Sequence, residues 1–205
     1  ADAMPTALPL GVAGEASPDS QPLARSCPPA PPQELDLSIE AMGRRLGVPA
    51  PVVDACRAEL RVTALHRWQA ECLLLRGVLE GRSLVYSSPT SGGKSLVAWL
   101  LVARMLATRK KKALIVLPFV SLVEEVGATL SGLLAKLKVC RTAKKKRKKG
   151  MAALPRPVRV EVCHGARHSA NFDNCDVAVC TIEKAHLSVN KLVFDKQLHE
   201  LGAVV

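Results

Sequence analysis

The spacing of apolar residues changes several times along the chain, and each change predicts a different element. Between residues 34 and 60, Leu35, Ile39, Met42 and Leu46 follow the 4-3-4 spacing of one helical face, and Gly-Val-Pro at 47–49 breaks this region into short helices. Short runs that are apolar throughout predict buried strands at 83–88, 113–118, 159–165 and 176–182. Longer mixed segments predict helices at 65–81, 94–112, 121–137 and 183–201, and the final "GAVV" predicts the start of another strand.

The alternation of these strands and helices indicates the fold class. Strands that are apolar along their whole length lie in a sheet that helices cover on both faces, and a helix between consecutive strands is typical of parallel pairing. We therefore expect an α/β fold with a doubly wound parallel sheet over residues 61–205. Residues 34–60 form a short helical lead-in. Residues 1–33 hold eight of the 14 prolines without periodicity, which predicts a disordered leader.

Composition narrows the class of protein. Hydrophobic residues make up 48% of the chain and aromatic residues 3%, so the core is expected to be aliphatic. The sequence contains no secretory signal and no apolar run of the roughly 18 residues that a membrane-spanning helix needs, so we expect a soluble intracellular protein that does not bind a membrane. Seven cysteines are scattered without a C-x-x-C pair, which favours free thiols over a metal site.

The positive charge is concentrated in one segment. The formal net charge is +11, and "RTAKKKRKK" at 141–149 carries seven positive charges. Such a net charge suits a phosphate-rich partner. Three interpretations of the run stay open: a solvated loop, a nuclear-localisation signal and a patch that contacts DNA phosphates.

The segment "SSPTSGGKS" at 87–95 has the composition of a phosphate-binding loop. Such a loop needs small residues whose backbone N–H groups surround a phosphate, a helix N-terminus, a lysine for the β- and γ-phosphates and a hydroxyl for Mg²⁺. Gly92, Gly93, Lys94 and Ser95 provide these groups in the required order, between a predicted strand and a predicted helix. Ser88 departs from the common pattern, which has a glycine there. The context favours a nucleotide site over a small-residue turn.

Four segments resemble motifs of superfamily 2 helicases, and they occur in the family's order within residues 60–205: "LHRWQAECL", "SSPTSGGKS", "ALIVLPFVSLVEEV" and "AVCTIEKAHLSVNKL". Within the Ski2-like group, the segments are most similar to the helicase-like domain of the DNA polymerase theta family, with Hel308-type repair helicases a close second. The resemblance implies a RecA-like domain of the P-loop NTPase class, from a nuclear DNA-dependent ATPase that acts in DNA repair. It also implies ATP and Mg²⁺ as cofactors and single-stranded or 3′-tailed DNA as the partner.

The resemblance implies roles for individual residues. Lys94 is expected to neutralise charge on the β- and γ-phosphates and Ser95 to bind Mg²⁺, which makes them the catalytic pair, and Gln69 is expected to recognise adenine. The other residues of the loop are expected to form the nucleotide cradle: Ser88, Pro89, Thr90, Ser91, Gly92 and Gly93. The residues expected along or near the nucleic-acid strand are Pro118, Phe119, Ser121, Gly165, Thr181 and Glu183.

Three departures from the family pattern affect these expectations. Trp99 stands where the relatives usually have a glutamate, so a local polar contact is expected to be absent. Residues 141–157 are similar to an insertion in a surface loop. The chain ends at Val205, where the family continues into a D-E-x-H motif and then a second RecA-like domain. Because phosphoryl transfer depends on all these parts together, we expect a truncated first domain that alone neither hydrolyses ATP nor unwinds DNA.

Other functions stay open at this point. Within the same class, the parent is either a helicase joined to a polymerase or a stand-alone Hel308-type helicase. An RNA helicase also fits, because contacts to a phosphate backbone discriminate poorly between nucleic acids. From another class, a non-catalytic nucleic-acid-binding module with a decayed loop is favoured by Ser88 and Trp99, and the intact Gly-Lys-Ser argues against it.

Overall fold

The computed structural model describes residues 35–140, 155–165, 170 and 172–205. The predicted leader over 1–33 and the basic run at 141–149 lie outside these residues. None of the described helices is long and apolar enough to cross a membrane. The helices are α1 (Ile39–Leu46), α2 (Ala50–Leu60), α3 (Arg67–Leu74), α4 (Lys94–Thr108), α5 (Val120–Leu134) and α6 (Ile182–Phe194). The strands are β1 (Lys112–Leu117), β2 (Lys138–Val139), β3 (Arg156–Pro157), β4 (Val160–Cys163), β5 (Val177–Thr181) and β6 (Leu201–Val204), and a 3₁₀ turn, Leu198–Glu200, precedes β6.

A parallel sheet of four strands, in the order β4-β5-β1-β6, organises the fold. Alternate residues of its strands face opposite sides. Ile115 and Val179 pack into the cluster that contains the apolar residues of α4 and α5, whereas Leu114 and Cys180 pack with Leu192 of α6. Every residue of β5 is buried. Helices therefore cover both faces, which confirms the predicted α/β fold with a parallel sheet.

The helical lead-in belongs to the same core as the sheet. α1 begins after Ser38, whose hydroxyl accepts a backbone hydrogen bond at 3.3 Å, and it ends at Gly47, whose φ of +67° places it in the left-handed region. Pro49 precedes α2, so the predicted break at 47–49 is confirmed. Arg104 of α4 holds this segment in place, because its Nε donates a hydrogen bond to the Leu46 carbonyl at 2.7 Å.

Several predicted helix bounds are wrong. Leu35 lies before α1 and is 37% exposed, so the buried helical face begins at Ile39. The helix predicted over 65–81 ends at Leu74, and the chain continues in turns in which Gly77 and Gly81 have positive φ. The helix predicted over 94–112 ends at Thr108, so the basic residues 109–112 do not lie in its last turn as expected. The helix predicted over 183–201 ends at residue 194. The apolar periodicity continues past Leu74 and past residue 194, whereas the residues that follow Thr108 are basic.

The strand predicted over 83–88 is also wrong. These residues are not part of the sheet, and Val85 is 97% exposed. Leu84 and Tyr86 face a cavity of about 430 Å³ that separates the segment from Gly202 and Ala203 of β6. A strand pattern specifies which side chains face inward, but ladder hydrogen bonds also need a neighbouring backbone within about 5 Å. No ladder hydrogen bond joins this segment to a strand of the described sheet.

A small antiparallel sheet of β2 and β3 was not predicted, and it includes the last residues of the predicted insertion over 141–157. Arg156 of β3 forms two hydrogen bonds with the Asp176 carboxylate, at 2.6 and 3.0 Å. The Asp176 side chain is fully buried, and it also accepts the Arg159 N–H at 3.0 Å. Residues 156–157 are therefore anchored to the sheet beside β5 and are not part of a free surface loop.

Replacing Arg156 with methionine is expected to lower the free energy of unfolding by about 3 kcal/mol, because it removes an ionic partner of the buried Asp176 carboxylate. Urea unfolding followed by circular dichroism measures this loss. The control is Arg57→Met, since Arg57 pairs with Glu40 at 2.7 Å while both side chains are well exposed. Such a surface pair contributes less than about 1 kcal/mol. Equal losses in the two variants would contradict the assignment of a structural role to the Arg156 pair.

Buried thiols line the interior of the described region. Burial, followed by the Glu59 carboxylate, raises the pKa of Cys56 from 9.0 to about 11. Burial also raises the pKa of Cys175, and a hydrogen bond with Cys163, followed by burial, raises that of Cys180. These groups therefore remain neutral thiols at physiological pH, which makes them poor nucleophiles.

Iodoacetamide at mildly alkaline pH is expected to modify the exposed Cys140 well before Cys56, Cys175 and Cys180. Peptide mass spectrometry over time measures the order, and guanidinium chloride should remove the difference. Similar modification rates for all four cysteines in the folded chain would contradict the assignment of Cys56, Cys175 and Cys180 as buried thiols.

The same pKa shifts predict a loss of stability as pH rises above 9.0, since the unfolded thiols then release protons that the buried ones keep.

Candidate functional site

The predicted phosphate-binding loop joins an extended segment to the first turn of α4. The Gly92 N–H donates a hydrogen bond to the Pro89 carbonyl at 3.1 Å, which closes a tight turn. Ser91 and Gly93 both have positive φ, +65° and +74°. Lys94 then begins α4, a helix of 15 residues. The loop thus places a curved backbone in front of a helix N-terminus, the arrangement that favours an anion.

Lys94 folds back across this loop. Its Nζ donates hydrogen bonds to the Ser88 carbonyl at 2.9 Å and to the Pro89 carbonyl at 2.6 Å. The ammonium group therefore lies inside the curve of the loop. A lysine in this position is a point charge that can exchange carbonyl partners for phosphate oxygens.

The two glycines of the loop occupy positions that a larger residue would obstruct. A Cβ atom on Gly92 would lie 2.4 Å from the Ser88 Oγ and 3.0 Å from the Pro89 carbonyl oxygen. A Cβ atom on Gly93 would lie 2.6 Å from the Gln69 Nε2, at a φ of +74° that non-glycine residues rarely adopt. This geometry also explains Ser88, because its hydroxyl occupies the space that Gly92 leaves open. The loop therefore has the shape of a phosphate cradle despite the missing first glycine.

Gln69 connects the loop to α3. Its side chain is 2% exposed, its Oε1 accepts the His66 N–H at 2.8 Å, and its Nε2 donates to the Gly93 carbonyl at 2.8 Å. The amide thus positions the loop through both of its ends. An amide can make further hydrogen bonds through its second N–H and its second lone pair. Recognition of adenine by Gln69 stays a prediction.

Tyr86 is a supporting residue that the sequence analysis missed. Its hydroxyl donates a hydrogen bond to the Lys94 carbonyl at 2.9 Å, and its ring lies 6.0 Å from that of Trp68, centroid to centroid. Burial raises the pKa of Tyr86, so the hydroxyl keeps its proton for this bond. A signal was present, because Tyr86 is the single tyrosine of the chain and stands beside the loop.

A cavity of about 480 Å³ opens beside the loop. Ser91, Lys94 and Ser95 contribute polar groups to its lining. The rest of the lining is mainly apolar and aromatic. The residues that complete the lining are Leu60, Val62, Ala64, His66, Gln69, Gly93, Leu96 and Trp99. No carboxylate belongs to this lining, and the described residues contain no cluster of three or more histidine, cysteine or acidic side chains that could hold a metal ion.

The residues predicted along a nucleic-acid strand lie at one edge of the sheet, where its parallel strands end. Phe119 follows β1 and is 65% exposed, and Gly165 follows β4 closely. Thr181 is the last residue of β5, but it is buried. Pro118 and Ser121 flank the start of α5, and Glu183 lies in the first turn of α6.

The charges at this edge are partly compensated within the chain. A hydrogen bond from its own backbone N–H, followed by one from the Thr181 hydroxyl, lowers the pKa of Glu183. Glu183 is therefore a stable carboxylate at the N-terminus of α6, where a negative charge is favourable. His164 contacts the Glu124 carboxylate nearby. Glu183 and Thr181 thus stabilise the start of α6, and their contact with a nucleic acid stays a prediction.

Comparison with known proteins relates most of the chain to one family. Residues 68–205 match the family described as DEAD/DEAH box helicase. DNA polymerase theta from Mus musculus is 38% identical over 160 residues, which cover 78% of this chain and 6% of that protein. Helicase POLQ-like from Homo sapiens is 32% identical over 175 residues, which cover 83% of this chain and 14% of that protein. The chain thus spans a small part of both relatives.

A solved structure, that of the yeast DEAD-box splicing factor Prp28, aligns with 17% sequence identity and a TM-score of 0.48. The alignment covers 70% of this chain and 33% of the Prp28 chain.

Proposed function

The chain belongs to the DEAD/DEAH box helicase family, and from that premise we propose that it binds ATP with Mg²⁺ and forms the nucleotide-binding part of a DNA-dependent ATPase that acts in DNA repair. The observation that carries the proposal is the loop at 88–93 with Lys94 inside its curve. Gly92 and Gly93 have no room for a side chain, while the helix N-terminus and the ammonium group both favour phosphate.

The residues of the loop fit a nucleoside triphosphate bound with Mg²⁺. Lys94 would neutralise the β- and γ-phosphates, and the exposed Ser95 hydroxyl would hold the ion. When bound, Mg²⁺–ATP supplies the phosphoanhydride bond whose cleavage drives movement along a strand. The apolar and aromatic part of the lining suits a nucleobase, and its lysine and serine side chains suit phosphates.

Nucleotide binding without rapid turnover is expected for the 205-residue chain. Among the described residues, no acidic side chain lines the cavity beside Lys94 and Ser95, and phosphoryl transfer needs a carboxylate for the metal and a group that orients water. Isothermal titration with ATP in the presence of Mg²⁺ tests binding, and phosphate release tests turnover. An absence of binding would refute the proposal, and turnover that depends on Lys94 would refute the expectation of inactivity.

We propose single-stranded or 3′-tailed DNA as the nucleic acid at the carboxyl edge of the sheet. α5 and α6 begin within three residues of the ends of β1 and β5, so the positive ends of both helices face this edge. The exposed Phe119 ring offers a surface on which a base can stack. The name of one relative, DNA polymerase theta, supports DNA over RNA.

Replacing Phe119 with alanine is expected to weaken binding of a labelled single-stranded DNA about tenfold, the effect of losing one stacked base. Fluorescence anisotropy over a range of salt concentrations measures the affinity. The matched control is Phe194→Ala, because Phe194 is 88% exposed at the far end of α6, away from the carboxyl edge. Equal losses of DNA affinity in both variants would mean that the DNA does not bind at the carboxyl edge of the sheet. Tighter binding of RNA of the same sequence would favour an RNA helicase.

Both kinds of relative remain candidates for the parent protein, because a polymerase-fused protein and a stand-alone helicase match at 38% and 32% identity. The proposed compartment is the nucleus, and the run at 141–149 supports it by composition. A fluorescent fusion whose nuclear accumulation does not change when the run is replaced by glutamine would remove that support.

A further inference from the structure

We infer that Trp99 is a base-contacting residue: its indole forms the aromatic wall against which the base of a bound purine nucleotide stacks. The inference rests on the proposed nucleotide site and goes beyond it. It assigns a binding role to a residue that departs from the family pattern, in which a glutamate is usual at this position.

The helix geometry brings Trp99 to the nucleotide side of α4. Trp99 follows Ser95 by four residues, so both side chains lie on one face of the helix, one turn apart. Long side chains on a helix lean towards its N-terminus, which here is the phosphate loop. The indole consequently lines the same cavity as Lys94 and Ser95.

The burial of α4 shows that this tryptophan is not simply part of the core. Leu96, Val97 and Leu100 are buried against the sheet and the lead-in helices. Trp99 packs against that cluster and remains partly exposed, with the cavity of about 480 Å³ beside it. Part of the Trp99 side chain is therefore available to a ligand in the cavity.

The surroundings of Trp99 suit a flat, partly polar ring. Leu60, Val62 and Leu96 provide apolar walls, and His66 and Gln69 border the same space. Aromatic side chains stack on bases of any kind because every base has a π-face, and the larger purine ring gains more from the contact. Trp99 should therefore raise the affinity for purine nucleotides over pyrimidine nucleotides.

The chain offers a matched control, because it contains two tryptophans. Trp68 stacks with Tyr86 and does not line this cavity. The variant Trp68→Phe reports the fluorescence of Trp99 alone, and Trp99→Phe reports that of Trp68 alone. In Trp68→Phe, ATP is expected to quench the emission in a saturable way, whereas inorganic triphosphate should leave it nearly unchanged. The emission of Trp99→Phe should respond weakly to both.

Affinity measurements complete the test. Trp99→Leu is expected to weaken ATP binding about tenfold and to leave inorganic triphosphate binding unchanged, since triphosphate has no base to stack. Trp99→Phe should keep most of the ATP affinity, which shows that an aromatic ring is the requirement. Circular dichroism confirms that each variant is folded.

Four outcomes would overturn the inference. If ATP and triphosphate lose affinity equally in Trp99→Leu, or if neither changes, Trp99 does not contact the base, although a Lys94-dependent nucleotide site stands. If ATP binds the wild-type chain but leaves the Trp99 emission of Trp68→Phe unchanged, Trp99 again does not contact the base. If neither ligand binds the wild-type chain, the proposed function fails together with the inference.

Discussion

Replacing Lys94 with alanine is expected to weaken ATP binding by this chain about a hundredfold. Lys94 Nζ already lies within the curve of the loop, held by the carbonyls of Ser88 and Pro89 at 2.9 and 2.6 Å. Bound phosphates would take over these contacts as charge-assisted hydrogen bonds, each contributing about 1.5–3 kcal/mol. The lower end of this range, about 3 kcal/mol for the two contacts together, corresponds to a decrease in affinity of about two orders of magnitude. Isothermal titration with Mg²⁺–ATP measures it.

The control for this prediction is Lys136→Ala, which removes the same charge from an exposed residue after α5. Its ATP affinity should equal that of the wild type. The Lys94 variant should keep its fold, because the loop remains anchored through Gln69 and Tyr86. An unchanged ATP affinity in Lys94→Ala, in a folded protein, would remove the loop from the nucleotide site and favour a decayed loop in a nucleic-acid-binding module.

Replacing Gly93 with alanine is expected to damage both the stability of the chain and its nucleotide site. The new Cβ would lie 2.6 Å from Gln69 Nε2, at a φ of +74°. The conformation alone costs about 1 kcal/mol for a non-glycine residue. Displacement of the buried Gln69 amide breaks a hydrogen bond and adds about 1–3 kcal/mol. We therefore expect a loss of about 2–4 kcal/mol in urea unfolding and a clear decrease in ATP affinity.

The variant Gly165→Ala separates the conformational cost of a side chain at positive φ from the cost of displacing the Gln69 amide. Gly165 has a φ of +53°, similar to that of Gly93, but a Cβ added there would meet no atom of the described residues within 4 Å. Its replacement should therefore cost only the conformational part, about 1 kcal/mol, and leave ATP binding unchanged. If the two glycine variants are equally stable, the contact between Gln69 and Gly93 does not hold the loop, and the role assigned to Gln69 is wrong.

Local sequence patterns predicted the fold well in short segments that are apolar throughout or that contain glycine and proline. The buried strands at 113–118 and 176–182 correspond to β1 and β5, because a fully apolar run of this length is stable in the middle of a covered sheet. The break at 47–49 was predictable from glycine and proline chemistry. The ends of helices were predicted less well, because apolar periodicity does not encode where the backbone turns.

The sequence alone determined that the chain forms an α/β fold with a parallel sheet, and that a loop rich in small residues leads into a helix that begins with Lys94 and Ser95. Both follow from the order of residues within short segments. Only the tertiary structure decided that Ser88 fits beside Gly92, that Gln69 holds Gly93 in place, that Trp99 lines the cavity, and that residues 83–88 stay unpaired. These features depend on distances between residues far apart in the chain or on how the backbone curves. Such distances arise from packing, and no local pattern of residues specifies them.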